Sequence, residues 1–236
     1  MSRFHFYGLF LWVRINMNFF ADLSYDEALS VLTPYLSVIV NEGFATRKRA
    51  KPVGRHIYRS YYDDVSFLRL IKGKSKLSLC MAFDDENNLQ GIAIGSPMTH
   101  AFGHSLSNVT LSVIPSSAVQ KTTTIQAYRK LSSAPLKPFE FRDETLYELV
   151  FVACSFKAKN VGKSLVDRLL SEAASRGYTL CLGEASASTH IGTLRLVQKV
   201  YLKWGFLLFC LEDSETKSPC KGPVGDYFVV GKSLCK

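Results

Sequence analysis

Residues 146 to 184 constrain this chain most. A continuous apolar stretch, LYELVFVACS, leads through a helical stripe into a second apolar stretch, TLCLGEA. Val161, Leu165, Val166, Leu169, Leu170, Ala173 and Ala174 recur at the spacing of one helix face, and Gly177 stands where a helix takes its C-terminal glycine. Both apolar runs read as buried strands. The first runs through Lys157-Ala158-Lys159-Asn160-Val161-Gly162 directly into the helix. Such a junction aims unpaired N–H groups and the positive end of the helix dipole at whatever lies beyond the strand. A pyrophosphate fits there, with Lys157 and Lys159 adding charge. Asn160 tolerates a left-handed backbone better than most residues, and Gly162 permits close approach.

Val161-Gly162-Lys163-Ser164 looks like the tail of a P-loop, but that pattern needs glycine at 157, where the chain has Lys157. Gly-Lys-Ser also recurs at Gly73 and Gly231, the latter too close to the chain end for a helix to follow. The tripeptide therefore does not support an NTPase.

Upstream, VRINMN reads as a first strand, and Ser24 with Glu27 forms a capping box before Ala28, Val31, Leu32, Tyr35, Leu36 and Ile39, with Pro34 as a break and Gly43 as the end. A second helix is expected around Tyr62 to Lys72. LSLCMAF and LQGIAIG flank DDENN as an antiparallel hairpin. Residues 97 to 145, with Pro97, Pro115, Pro135 and Pro138, read as a long connection holding one helix between Ser116 and Leu131. Leu194, Val197, Val200, Tyr201 and Trp204 predict a further amphipathic helix ended by Gly205, followed by strands FLLFCLE and DYFVVGKSL. We expect an N-terminal extension over 1–12 and a single α/β (α+β) domain over 13–236.

A hydrophobic content of 47% and charged content of 21% describe an ordinary globular chain. The net charge of +9 makes an anionic ligand plausible, and Arg47, Lys48, Arg49, Lys51, Arg55 and Arg59 concentrate it. No nucleic-acid module accompanies that run, so no specific nucleic-acid partner is expected. The six cysteines lack metal-ligand spacing, and Cys80, Cys154, Cys181 and Cys210 lie in apolar strand-like runs, which suggests a reducing, cytoplasmic setting. The apolar FHFYGLFLWV is shorter than the ~20 residues of a membrane span, so no transmembrane segment is expected. His100 and His104 read as loop histidines, so no metal is expected.

On Lys157 to Gly162 the chain resembles the GNAT superfamily of acyl-CoA-dependent N-acyltransferases, whose pattern is Arg/Gln-x-x-Gly-x-Gly/Ala at a strand-to-helix junction. Here Lys157 replaces Arg/Gln and Asn160 replaces the first Gly. Val152 matches the family's strand valine, and Tyr201-Leu202-Lys203-Trp204-Gly205-Phe206 looks like its Tyr-x-x-x-Gly-Phe. The resemblance covers residues 13 to 234. The insert before the core strand and Glu184-Ala185-Ser186 look most like arylalkylamine N-acetyltransferases of invertebrate type.

The resemblance implies a mostly antiparallel central sheet with a splayed parallel strand pair and flanking helices. It implies acetyl-CoA as co-substrate, a small amine as acceptor, and a monomer or homodimer. Val150, Phe151, Val152, Lys157, Ala158, Lys159, Asn160, Val161, Gly162 and Lys163 would bind CoA, with an oxyanion donor in the Phe151-Val152-Ala153 segment at a strand bulge. An amine of pKa near 10.4 is neutral in only about one molecule in 2,500 at pH 7, so a base is useful. Glu148 occupies the family's base position, with Glu184 and His190 as alternatives, and Tyr201 matches the general acid. An acid within LYELVFV is costly to bury alone, which suits a cavity-facing role; the other reading is a strand glutamate paired with a nearby lysine. Tyr201 likewise doubles as a core aromatic. Other readings are protein-amine acetylation, an acyl-CoA-binding module without catalysis, and a basic scaffold using Arg47 to Arg59.

Overall fold

In the computed structural model the described residues are 15–39, 64–98, 105, 108–140, 145–155, 160–185, 190–222, 225–226 and 228–234. The chain opens on β1 (Asn16–Leu23), turns at Ser24 and enters α1 (Tyr25–Leu32). The capping box is present: Glu27 N–H donates to Ser24 Oγ at 3.3 Å, and Ser24 N–H donates to Glu27 Oε2 at 2.7 Å. Pro34 then forces a 3-10 turn over Thr33–Tyr35. After α2 (Asp64–Lys72) comes the expected hairpin of β2 (Leu77–Phe83) and β3 (Leu89–Pro97). Its turn is held by Asp84, whose Oδ1 accepts from the N–H groups of Glu86 and Asn88 at 3.0 and 2.9 Å.

Next come β4 (Val109–Ile114), α3 (Ser116–Lys121), α4 (Ile125–Ser132) and β5 (Lys137–Phe139). The 97–145 stretch is therefore more regular than its prolines suggest. The single expected helix is two, parted at Thr122, and Thr124 caps the second by accepting from Ala127 N–H. The core follows as β6 (Leu146–Cys154), α5 (Val161–Ser175), β7 (Leu180–Glu184) and α6 (His190–Leu196). Beyond α6 the helix is not regular: Val197–Tyr201 is a π turn and Leu202–Trp204 a 3-10 turn. Gly205 stops it at φ +82°, a left-handed conformation that glycine adopts without strain. The chain closes with β8 (Leu207–Asp213), the short pair β9 (Lys221–Gly222) and β10 (Gly225–Asp226), and β11 (Val229–Ser233).

Nine strands form one sheet in the order β1-β2-β3-β6-β7-β11-β8-β4-β5. All neighbours are antiparallel except β6 and β7, which is the arrangement the resemblance implied. Two edges remain. β1 slips register between Phe20 and Leu23, and β5 is three residues long with Pro138 at its centre.

Every residue of β2 is buried because both faces are covered. Cys80 and Ala82 join the cluster under α5, whose Val161, Leu165, Val166, Leu169, Leu170 and Ala173 point inward. Leu77, Leu79, Met81 and Phe83 join the opposite cluster with Ala28 and Leu32 of α1 and Phe67 and Ile71 of α2. Each such leucine contributes about 1.5–3 kcal/mol by leaving water. A third cluster of Leu146, Leu180, Leu182, Phe209, Leu211 and Val229, with Val109 and Leu111 of β4, fills the same side under the C-terminal half.

Candidate functional site

The sheet opens where its two halves meet. β6 and β7 pair in parallel only through Leu146↔Leu180, Tyr147↔Cys181 and Glu148↔Leu182, although β6 continues for six residues beyond Glu148. Over that unpaired length β6 changes from buried to half-buried. On its other side β6 stays bonded to β3, but the register slips: Ile94 faces Phe151 while Gly95 faces Leu149. Val150 is the extra residue. A bulge of this kind leaves one residue outside the ladder and turns the strand. The bulge also switches faces. Tyr147 and Leu149 before it, and Val152 and Cys154 after it, pack under α5, whereas Val150, Phe151 and Ala153 pack with α1 and α2. Phe151 meets Phe67 of α2 edge-on at 5.1 Å. The irregularity thus falls one residue before the Phe151-Val152-Ala153 segment expected to hold the oxyanion donor.

Glu148 sits at the last paired position before the splay and is 9% exposed. Its Oε2 accepts a hydrogen bond from Lys74 Nζ at 2.5 Å, forming an ion pair whose side chains are 11% and 22% exposed. The paired-lysine reading of this glutamate is therefore the one observed, and the pair lies at the mouth of the opening. Sequence reasoning missed Lys74. No local pattern in the sequence marks it as the partner of a glutamate 74 positions away.

Glu184 ends β7 two residues past Leu182, the register partner of Glu148, so both carboxylates belong to the same face of the sheet. The Glu184 side chain is exposed, yet its surroundings withdraw enough water to raise its carboxyl above the ordinary glutamate range. The negative charge of Glu148 pushes in the same direction.

The other wall is the start of α5. Asn160 holds φ +66° and ψ −6° at its N-cap, the left-handed geometry its chemistry suggested, and makes no side-chain cap. Ser164 N–H is bonded to Asn160 O at 3.1 Å, so the amides of Val161, Gly162 and Lys163 precede the helical ladder. Gly162 is buried and serves packing. A Cβ there would lie 3.2 Å from Cys154 Sγ and 3.3 Å from the Trp204 ring, and its N–H bonds to the Cys154 sulfur. Burial raises the Cys154 thiol. Lys163 is exposed and pairs with Asp167 one turn along, beside Lys232, whose Nζ donates to Trp204 O at 2.9 Å. Replacing Asn160 with valine is expected to cost roughly 1–2 kcal/mol of strain, and with glycine almost nothing; urea unfolding midpoints check both.

Tyr201 closes the π turn, with Leu202 N–H reaching back to Val197 O. One such extra residue re-aims the side chains that follow, and π turns recur at functional sites. The Tyr201 ring is half-buried, edge-on to Trp204 at 6.0 Å and to Phe206 at 5.5 Å. Tyr201 and Gly162 thus share Trp204 as a neighbour, which ties the tyrosine to the start of α5.

Lys157, Ala158 and Lys159, the histidines His100 and His104, and the Arg47 to Arg59 run lie outside the described residues, as does the side chain of His190. Among the described residues no group of His, Cys, Asp and Glu could hold a metal ion, and no helix is long and apolar enough to cross a membrane. A shallow groove between α3 and α4, lined by Ala118, Lys121, Thr122, Ala127, Lys130, Leu131 and Ala134, includes no residue of β6 or β7.

No protein-family profile and no curated protein matches the chain. Solved structures do resemble it at low identity. The GNAT-family N-acetyltransferase YhbS of Escherichia coli, in complex with CoA, has a TM-score of 0.46 at 13% identity, covering 94% of this chain and 83% of its own. The ribosomal-protein-S18-alanine N-acetyltransferase of Escherichia coli gives 0.45 at 10%, covering 94% and 96%. The phosphinothricin acetyltransferase of Sinorhizobium meliloti, in complex with AcCoA, gives 0.42 at 15%, covering 93% and 88%.

Proposed function

We propose that this chain is an acetyl-CoA-dependent N-acetyltransferase of GNAT type that acts on a primary amine. The observation that carries the reading is the parting of β6 from β7 beyond Glu148, with a bulge at Val150 and the uncapped start of α5 beside it. A splayed strand offers free backbone groups to an extended, amide-bearing ligand. The Val161 and Lys163 amides at the start of α5 suit a pyrophosphate, with the backbone turned by Asn160 and the Gly162 amide held by Cys154. Val150, Phe151 and Val152 would line the thioester, and Lys157 to Lys163 the phosphates. A small arylalkylamine is the acceptor that the resemblance favours. Cys80, Cys154, Cys181, Cys210 and Cys220 are all free thiols, which suits a cytoplasmic setting.

Acetyl-CoA supplies an activated carbonyl carbon. A carboxylate at the splay takes one proton from the acceptor's ammonium group, leaving a neutral nitrogen whose lone pair forms the new C–N bond. An amide freed from the ladder near Val150 stabilises the charge that gathers on the carbonyl oxygen. As the C–S bond breaks, Tyr201 donates its hydroxyl proton to the sulfur and regains one from the acylated nitrogen. The balance is one ammonium and one thioester converted to one amide, one thiol and one proton released to water. An acyl-CoA-binding module without turnover is the second reading, favoured by the engagement of Glu148 with Lys74.

Calorimetry with acetyl-CoA, using ATP as control, tests the proposal. Asn160→Asp keeps a residue tolerant of the left-handed turn but sets a negative charge against the phosphates. Micromolar acetyl-CoA binding that falls about tenfold or more in this variant supports the site. Equal affinity for ATP, or no loss in Asn160→Asp, would remove it.

A further inference from the structure

The transfer reading leaves the proton acceptor among two carboxylates that differ in how they are held. Glu148 is buried and committed to Lys74, which reaches it from the segment between α2 and β2. Lys74 holds Oε2 of Glu148, and its positive charge beside that carboxylate opposes the approach of a second ammonium group. Glu184 has no hydrogen-bond or ion-pair partner among the described residues, is solvent-accessible, and stands on the same sheet face on the other side of the splay. The stagger between the Glu148–Leu182 register position and Glu184 is two residues, about 7 Å along the strand. The two carboxylates therefore flank the opening between β6 and β7 from either strand. Charges acting on Glu184 are few: Glu148 is the one resolved among the described residues, and its register neighbour on β11, Val229, is apolar.

We propose, on the transfer reading above, that Glu184 is the catalytic base and that the Glu148–Lys74 pair is a positioning element that fixes the field around it. Glu184 takes the ammonium proton of the acceptor onto its carboxylate and later releases it to water, so no further reactant is needed. A base serves best when its own proton affinity is lifted toward the working pH, and both causes that lift Glu184, partial withdrawal of water first and the Glu148 charge second, are present. The acid limb of kcat/KM should therefore lie above the ordinary glutamate range. It should move to lower pH in Glu148→Gln, which removes the repelling charge.

The experiment follows thiol release from acetyl-CoA with phenethylamine, putrescine and a lysine peptide, across pH, in wild type, Glu184→Gln, Glu184→Asp and Glu148→Gln. Acetyl-CoA affinity is measured in each to confirm an intact fold. The expected result is a loss of about 100-fold or more in kcat for Glu184→Gln at unchanged acetyl-CoA affinity, partial rescue in Glu184→Asp, and a downward shift of the acid limb in Glu148→Gln. Glu184→Gln within a few-fold of wild type, or an acid limb that stays in place in Glu148→Gln, overturns the assignment while leaving the transferase reading intact. Wild-type protein that binds acetyl-CoA but turns over none of the three amines overturns the transfer reading, and this assignment with it.

Discussion

Gly95→Ala is expected to lower stability by about 3 kcal/mol, the upper end of what one added methyl group costs in a packed core. A Cβ at Gly95 would lie 2.4 Å from Tyr147 Cε1, 2.5 Å from its hydroxyl oxygen and 2.6 Å from Cζ. The ring cannot step aside. Tyr147 is 1% exposed, its hydroxyl is hydrogen-bonded with Ser78, and the ring leans on Tyr178 at 5.1 Å. The clash also falls beside the register slip that makes the Val150 bulge, so acetyl-CoA binding should weaken along with stability. Gly73→Ala is the matched control: a Cβ there meets nothing within 4 Å, and its urea midpoint should change little. A Gly95→Ala midpoint equal to wild type would show that Tyr147 does not seat on β3.

Tyr201→Phe carries the second large effect. The substitution removes one oxygen and keeps the ring, so the edge-on contacts with Trp204 and Phe206 survive and acetyl-CoA affinity should hold. Turnover should fall about 100-fold or more, because the departing thiolate loses its positioned proton donor. A fall in kcat at unchanged KM for acetyl-CoA marks a role in the chemical step. Full activity in Tyr201→Phe would return the residue to the core, where its aromatic neighbours already place half of it.

What the sequence disclosed and what it hid follow from range. The α5 stripe, the α1 capping box, the Asp84 turn and the left-handed Asn160 are local, each decided by residues within about one turn of one another, and all are found where expected. β4 and β5 are hidden by four prolines that make 97–145 look irregular, although Val109, Leu111 and Val113 alternate like a strand. Proline halts a ladder only where an N–H is needed, and here Pro97 and Pro138 stand at a strand end and on an edge strand. Lys74 and Glu148 are 74 positions apart, and no local pattern pairs them. The π turn is equally silent, since the spacing of Val197, Val200 and Tyr201 suits a regular helix just as well.

The two sheet edges have a consequence for association. A strand edge recruits another chain through a run of unpaired amides and carbonyls. On β5 that run is three residues long, begun by the exposed Lys137 and interrupted by a proline that has no amide hydrogen. On β1 the rhythm breaks between Phe20 and Leu23, where Asp22 is left-handed at φ +56° and anchored to Arg176 from the C-terminal end of α5. Among the described residues, β5 offers three residues for a further ladder and β1 only the five from Asn16 to Phe20 before its break, so neither border presents a long flat template for another strand.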